Sequence, residues 1–346
     1  RSEEHLKQAH LLSIESPVLL KNDGVLPLTQ KEKIALIGPF AQTRDLLGAW
    51  RWHGHPDHSK TYDEALENEH VTFLHLETDL NDIDTIILTV GEHVHETGES
   101  KSKVNITIDP IYKDYILKMQ SKGIRVIVLV QTGRPLSIES ILDADAIIYT
   151  WFLGSKHAEV INDILNGRIN PSGKLPMQLP RHVGQYPFSH HDFNTGRPYH
   201  PVRNEYTTKY IDVDLHPLYP FGFGLSYTPM TYRIISDPID TWDGKDSLDI
   251  DILIENPHDR IGKEVIQCYM NLTPSIPVRP VKKLIQFVKT TLNPYERQTI
   301  RFTIKKEDLY VYDELHQRHI DPGTLTLMFG FNAKDTTSYT LTWRPQ

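Results

Sequence analysis

The chain has one cysteine, Cys268, among 346 residues. An internal disulfide framework is therefore excluded, and the redox compartment stays open. No apolar run approaches the roughly 18–20 residues that a membrane-crossing helix needs. Basic stripes are also missing. The net charge is −8, and the densest basic run, Arg279-Pro-Val-Lys-Lys, is too short to give phosphates a footing. These absences argue against a membrane or a nucleic acid as partner. At its start the chain lacks both an initiator Met and the pattern of a signal peptide. Arg1–Ile14 reads instead as a helix already under way, with Leu6, His10 and Ile14 on one side, as if the natural start lay upstream. Localisation is not legible there.

Common nucleotide and nucleophile fingerprints are missing too. Gly167–Lys174, GRINPSGK, has one residue too many between its glycines for a phosphate loop, and Leu175 stands where Ser or Thr should follow. The strand-like IALIGPFA lacks the three glycines of a dinucleotide site. Gly224-Leu-Ser-Tyr-Thr lacks the second glycine of a nucleophile elbow. His53, His55 and His58, with His93 and His95, could gather around a metal. However, HGHPDH is a Gly- and Pro-containing loop with nothing to orient the imidazoles, so solvated or locally bonded histidines are the plainer reading. Neither a metal nor a cofactor is expected.

What is present begins with brief apolar runs: Ser16–Leu28 around an Asn-Asp-Gly turn, Lys33–Gly38, Val71–Leu76, Thr85–Val90, Arg125–Val130 and Ala146–Thr150. Helical spacing falls between them at Tyr62–Leu66, Ile111–Met119, Ile138–Leu142 and His157–Leu165, and Asp45–Leu47 suggests a further helix. Strands alternating with helices imply right-handed crossovers and a largely parallel sheet covered on both faces. Residues 167–230 read mostly as loop, dense in aromatics such as Tyr199, Tyr206, Tyr219 and Phe223. Such rings suit sugar faces, and equally the plain job of packing a long loop. After Pro229 the period changes to two, with strands at Leu248–Ile254, Glu264–Asn271, Leu284–Thr290, Thr299–Ile304 and Thr324–Phe331. That pattern indicates an antiparallel β-sandwich, with Cys268 in its core.

The chemistry-bearing stretch is 85–110. Thr85–Val90 is a buried strand, and after it Glu92, Glu96 and Glu99 fall within eight positions. Ligands of open α/β sheets bind at the carboxyl ends of strands, so this loop is a candidate for acid–base chemistry. By composition alone a solvated acidic loop is the plainer reading.

The segments ESPVLLKNDGVLPL (15–28), LGAW (47–50), VGEHVHETGESKSKVNITI (90–108), TGRPL (132–136), ILNGRINPSGKLPMQLP (164–180) and LYPFGFGLSYT (218–228) together carry a resemblance. So do GKEVIQCYM (262–270), RPVKKLIQF (279–287) and PGTLTLMFG (322–330). The chain resembles the C-terminal half of a glycoside hydrolase family 3 enzyme of the β-glucosidase type. The resemblance implies a linker helix over 1–16 from an upstream barrel, an α/β sandwich over 17–228 and a fibronectin type III-like β-sandwich over 229–346. It implies a retaining, exo-acting enzyme on terminal β-D-glucosides whose nucleophilic aspartate lies on the barrel, leaving this portion inactive alone. Glu99, in GESKSKV, is implied as the acid/base, with Glu96 as second candidate. Glu92 and Glu96 would then supply negative charge to keep the acid protonated. Trp50 and Trp52 are implied as a surface beside the leaving-group sugar, against the plainer reading of loop anchors. Pro17 and Lys103 stand where relatives commonly have Ile and Arg. The barrel and a β-linked glucoside or oligosaccharide are the implied partners. The other class of function is a non-catalytic carbohydrate-binding or assembly module.

Overall fold

The computed structural model describes residues 2–67, 70–76, 78, 80, 82–200, 202, 205–274 and 278–345. Arg1, at the head of the expected first helix, and residues 201, 203 and 204 of the long loop lie outside them. The chain forms two compact units. The first comprises Arg1–Leu175, Leu179–Tyr186 and Gly224–Tyr227; the second comprises Pro176–Gln178, Pro187–Phe223 and Thr228–Gln346.

In the first unit six short strands form one sheet: β1 (Val18–Asn22), β2 (Lys33–Ile37), β3 (His70–Phe73), β4 (Thr85–Gly91), β5 (Arg125–Gln131) and β6 (Ala146–Tyr149). Their spatial order is β1-β6-β5-β4-β2-β3, parallel except for β1 against β6. The strands read as unbroken apolar runs because both faces are covered: all of Thr85–Val90 is buried. Helices α1 (Glu3–Glu15), α2 (Tyr62–Ala65), α3 (Ile111–Ser121) and α4 (His157–Leu165) supply the covering layers. Tyr62, Ala65, Ala158, Ile161, Ile164 and Leu165 share one apolar cluster with Ile34, Leu36, Ile87, Ile127, Leu129 and Ile148. Strand side chains alternate between faces, so buried Ile86, Leu88, Val126 and Val128 point to the other side, where α3 packs on β5.

The helix expected at Asp45–Leu47 does not form. Its backbone is committed elsewhere: the Leu46 carbonyl accepts from the Gly154 N–H (3.0 Å), and the Arg44 carbonyl accepts from Ser59 Oγ (2.9 Å). A carbonyl taken by a distant partner does not close an i to i+4 turn.

The second unit contains β7 (Thr231–Ile234), β8 (Thr241–Trp242), β9 (Leu248–Glu255), β10 (Gly262–Thr273), β11 (Lys283–Leu292), β12 (Arg297–Ile304), β13 (Val311–Tyr312), β14 (Arg318–His319), β15 (Gly323–Gly330) and β16 (Thr336–Trp343). A five-stranded sheet β11-β10-β15-β16-β8 and a three-stranded sheet β12-β9-β7 enclose a core of Ile250, Ile252, Ile254, Cys268, Phe302, Phe329 and Trp343. Pairing is antiparallel apart from β8 against β16. In β9 the period-two alternation buries Leu248, Ile250, Ile252 and Ile254. Cys268 is buried in this core, and burial pushes its thiol well above the ordinary range. Strands β7, β8, β13, β14 and β16 were not read from the pattern. Among the described residues, no helix is long and apolar enough to cross a membrane.

Candidate active site

Five parallel strands of the first unit, β2 to β6, end on one edge, and the loops after β2, β4 and β5 carry the polar residues. The ladder between β4 and β5 ends with Gly91 opposite Gln131. The approach is so close that a Cβ on Gly91, whose φ is +131°, would lie 1.8 Å from the Gln131 carbonyl oxygen. Only glycine fits there. The Glu92 N–H then donates to that same carbonyl (2.7 Å), so the acidic loop leaves the sheet from a fixed point.

The three glutamates meet three different environments. Glu92 is 2% exposed; its Oε2 accepts from Thr132 Oγ1 (2.8 Å) and Arg134 Nε (3.1 Å), and its Oε1 lies 3.4 Å from Lys103 Nζ. A carboxylate this deep persists as a charge only when paired. Glu96 closes a short 3₁₀ turn, Val94–Glu96, where one oxygen accepts the His93 N–H (3.0 Å) and the other pairs with Lys103 Nζ at 2.5 Å. The Lys103 hydrogen bond, followed by the His93 N–H, holds the Glu96 carboxyl below its usual range; the same bond raises Lys103. Glu99 is exposed, and among the described residues no hydrogen bond or ion pair engages its carboxylate. Arg134 and Lys103 thus serve as the partners of Glu92 and Glu96.

The segment around Glu99 is nevertheless well held. Arg134 Nη2 donates to the carbonyl of Glu96 and to that of Lys101 (2.9 Å), one on either side of Glu99. Thr97 is buried against Gly133, where a Cβ would come within 2.3 Å of Thr97 Oγ1. Gly98 (φ +101°) fits against Ala49 and the Trp50 ring, and Ser100 adopts φ +59°. Two left-handed residues thus flank Glu99, a conformation that costs a non-glycine residue free energy and persists when its surroundings impose it.

Trp50 and Trp52 lie on the loop after β2, whose base is anchored by buried Phe40, Ala41 and Leu46. The rings themselves are 73% and 90% exposed. Because the loop is anchored by other side chains, exposed indoles here are available as a binding surface. Gly98 against Trp50 brings the Trp50 loop and the Glu99 loop together. His53, His55 and His58 are exposed; the Asp57 N–H donates to His55 Nδ1 and the His55 N–H to His58 Nδ1, both at 3.4 Å. The ring of His93 packs on Phe40 with centroids 4.8 Å apart. Among the described residues, no group of three or more His, Cys, Asp or Glu side chains is arranged to hold a metal ion.

The residues that sequence reasoning missed are Thr132 and Arg134. Their segment, TGRPL, was noticed without a role for any side chain. Its turn is fixed by Tyr149, whose hydroxyl accepts the Leu136 N–H (2.8 Å) and donates to the Arg134 carbonyl (3.0 Å).

The glycosyl hydrolase family 3 C-terminal domain matches residues 17–227, and a fibronectin type III-like domain matches residues 264–333. A periplasmic β-glucosidase of Salmonella typhimurium is 34% identical over 95% of this chain and 49% of its own length. A putative β-xylosidase of Formosa agariphila is 30% identical over 97% of this chain and 46% of its own. Among solved structures, a β-glucosidase from Listeria innocua in complex with glucose superposes with a TM-score of 0.93 at 31% identity, covering 99% of this chain and 50% of that one. The chain spans about half the length of the curated relatives it matches.

Proposed function

Because the chain belongs to glycosyl hydrolase family 3, we propose that it is the C-terminal portion of a retaining, exo-acting β-glucosidase in which Glu99 is the acid/base. The observation that carries this reading is the sorting of the three glutamates. Glu92 is buried and paired, Glu96 is ion-paired and held ionised, and Glu99 alone stands exposed and unengaged on a well-held loop. A proton donor needs a free carboxyl on a well-held stretch of backbone, and Glu99 is the one of the three whose carboxyl is free.

In a retaining mechanism one carboxylate attacks the anomeric carbon while a second carboxyl, about 5–5.5 Å away, protonates the departing oxygen. As a carboxylate, the second group then takes a proton from the water that releases the sugar. In this reading Glu99 performs both transfers. The nucleophilic aspartate and the surface that excludes water around Glu99 come from an upstream barrel, as the greater length of the relatives supports. The division at residue 228 into an α/β sandwich and a fibronectin-like domain belongs to the same proposal. Trp50 and Trp52 would offer flat faces to the sugar that leaves. The β-glucosidase name of the Salmonella relative and the glucose in the Listeria structure favour a terminal β-glucoside as substrate.

The test is leaving-group dependence in the protein with its upstream portion restored. Glu99→Ala is expected to lower kcat/KM at least 100-fold for phenyl β-glucoside, whose departing oxygen needs a proton, and less than tenfold for 2,4-dinitrophenyl β-glucoside. The same pattern for Glu96→Ala, with Glu99→Ala near wild type, would move the role to Glu96. A second reading, a non-catalytic carbohydrate-binding or assembly module, draws on the exposure of Trp50 and Trp52. Oligosaccharide binding without turnover in the restored protein would favour it.

A further inference from the structure

We infer that Arg134 is a positioning residue for the proton donor: it fastens the backbone on both sides of Glu99 to a carboxylate buried at the edge of the sheet. The inference rests on the reading of Glu99 above and adds a residue that acts through the backbone of the loop. The connection can be followed atom by atom. The β4–β5 ladder fixes the start of the loop, where the Glu92 N–H meets the Gln131 carbonyl at 2.7 Å. Glu92 Oε2 then receives Arg134 Nε at 3.1 Å, and Thr132 Oγ1 steadies the same oxygen at 2.8 Å. Nη2 of the same guanidinium reaches the carbonyls of Glu96 and Lys101. Tyr149 holds the Arg134 backbone through its carbonyl.

Arginine is suited to this task. Its planar fork presents donors in different directions at once, so a single side chain can bond a carboxylate through Nε and backbone carbonyls through Nη2. Lysine, with one point of charge on a flexible stem, could neutralise Glu92 without spanning to the loop. The other restraints on Glu96–Lys101 are the bonds of the Glu96 carboxylate to the His93 N–H and Lys103 Nζ and the packing of Gly98 against Ala49 and Trp50, none of which grips the backbone on both sides of Glu99. Thr97 is the segment's one buried side chain, and a 3.3 Å bond from the Lys101 N–H to the Gly98 carbonyl is its internal turn. Gly98 and Ser100 both hold left-handed backbone, which a loosened loop would leave. A donor displaced by even about 1 Å loses much of its effectiveness, so the precision of Glu99 depends on this fastening.

The test uses Arg134→Lys in two measurements. In hydrogen exchange of the chain as it stands, amides of residues 97–102 are expected to exchange at least tenfold faster than in the wild type, with those of β5 unchanged. In the protein with its upstream portion restored, kcat/KM is expected to fall at least tenfold more for phenyl β-glucoside than for 2,4-dinitrophenyl β-glucoside. A residue that merely stabilised the fold would depress both substrates alike. If Arg134→Lys does not fold, Glu92→Leu removes the acceptor and so cuts the same link from its other end. Unchanged loop exchange, or equal losses on both substrates while Glu99→Ala shows the leaving-group pattern, would overturn the role of Arg134 and leave Glu99 standing. Absence of the pattern in Glu99→Ala itself would overturn both.

Discussion

His157 offers a sharp test of how the first unit is held together. Its ring is fully buried at the start of α4. Nδ1 accepts the Leu153 N–H at 3.2 Å, which places the ring proton on Nε2, facing the Tyr62 hydroxyl at 2.6 Å. Burial lowers its pKa from 6.5 to about 3. The sign follows directly. The folded state refuses a proton that the unfolded chain accepts, so this contribution is complete above pH 6.5 and is lost as pH falls towards 3. Each pH unit in that window costs about 1.4 kcal/mol, or about 2 kcal/mol at pH 5. That is a substantial part of a typical stability of roughly 5–15 kcal/mol. The perturbation is His157→Gln, which keeps hydrogen-bonding capacity and cannot titrate. Urea unfolding should be followed by hydrogen exchange in peptides of α4, so that the first unit is read by itself, at steps from pH 7.5 to pH 4. The variant is expected to be less stable at pH 7.5 and to lose stability with acid less steeply, by about one proton's slope. Parallel pH dependences in wild type and variant would refute the reasoning.

Other consequences can be checked as directly. Gly91→Ala should cost roughly 3 kcal/mol or more, because it adds left-handed strain and a clash with the Gln131 carbonyl. Gly123→Ala, with φ +78° and no neighbour within 4 Å, should cost only about 1 kcal/mol; equal losses in urea melts would show that the close approach carries no weight. Cys268 should resist a thiol reagent at pH 8 until the second unit is unfolded, and rapid labelling of the native protein would contradict its burial.

The parts of the fold that could be read beforehand are those where one physical pattern acts alone. Thr85–Val90 and Arg125–Val130 announce themselves because a sheet covered on both faces demands unbroken apolar strands. Leu248–Ile254 does so because a sandwich strand has one buried face. Where tertiary bonds compete with local pattern the reading failed: Asp45–Leu47 looked helical, but the Leu46 carbonyl is taken by Gly154. Strand β16 was missed although Tyr339, Leu341 and Trp343 alternate into the core, because its exposed positions are threonine and serine in a turn-like run.

The site divides in the same way. The glutamate loop was visible as a change of composition after β4, and the resemblance singled out Glu99 within it. The partnership of Glu92 with Arg134, 42 residues away, had no local signature. It exists because β4 and β5 are neighbours in the sheet, which places the loops after them side by side. Lys103, noticed as a departure from a common arginine, bridges Glu92 and Glu96, which no local pattern announced.

The most direct measurement is product analysis of Glu99→Ala, with the upstream portion restored, turning over 2,4-dinitrophenyl β-glucoside in azide. Without its acid/base, a retaining enzyme still forms the glycosyl intermediate from an activated substrate but releases it slowly to water. Azide needs no proton removed and takes the vacated side, so β-glucosyl azide should accumulate and turnover should rise. Glucose as the sole product at an unchanged rate, with the azide adduct arising instead from Glu96→Ala, would contradict the assignment of Glu99.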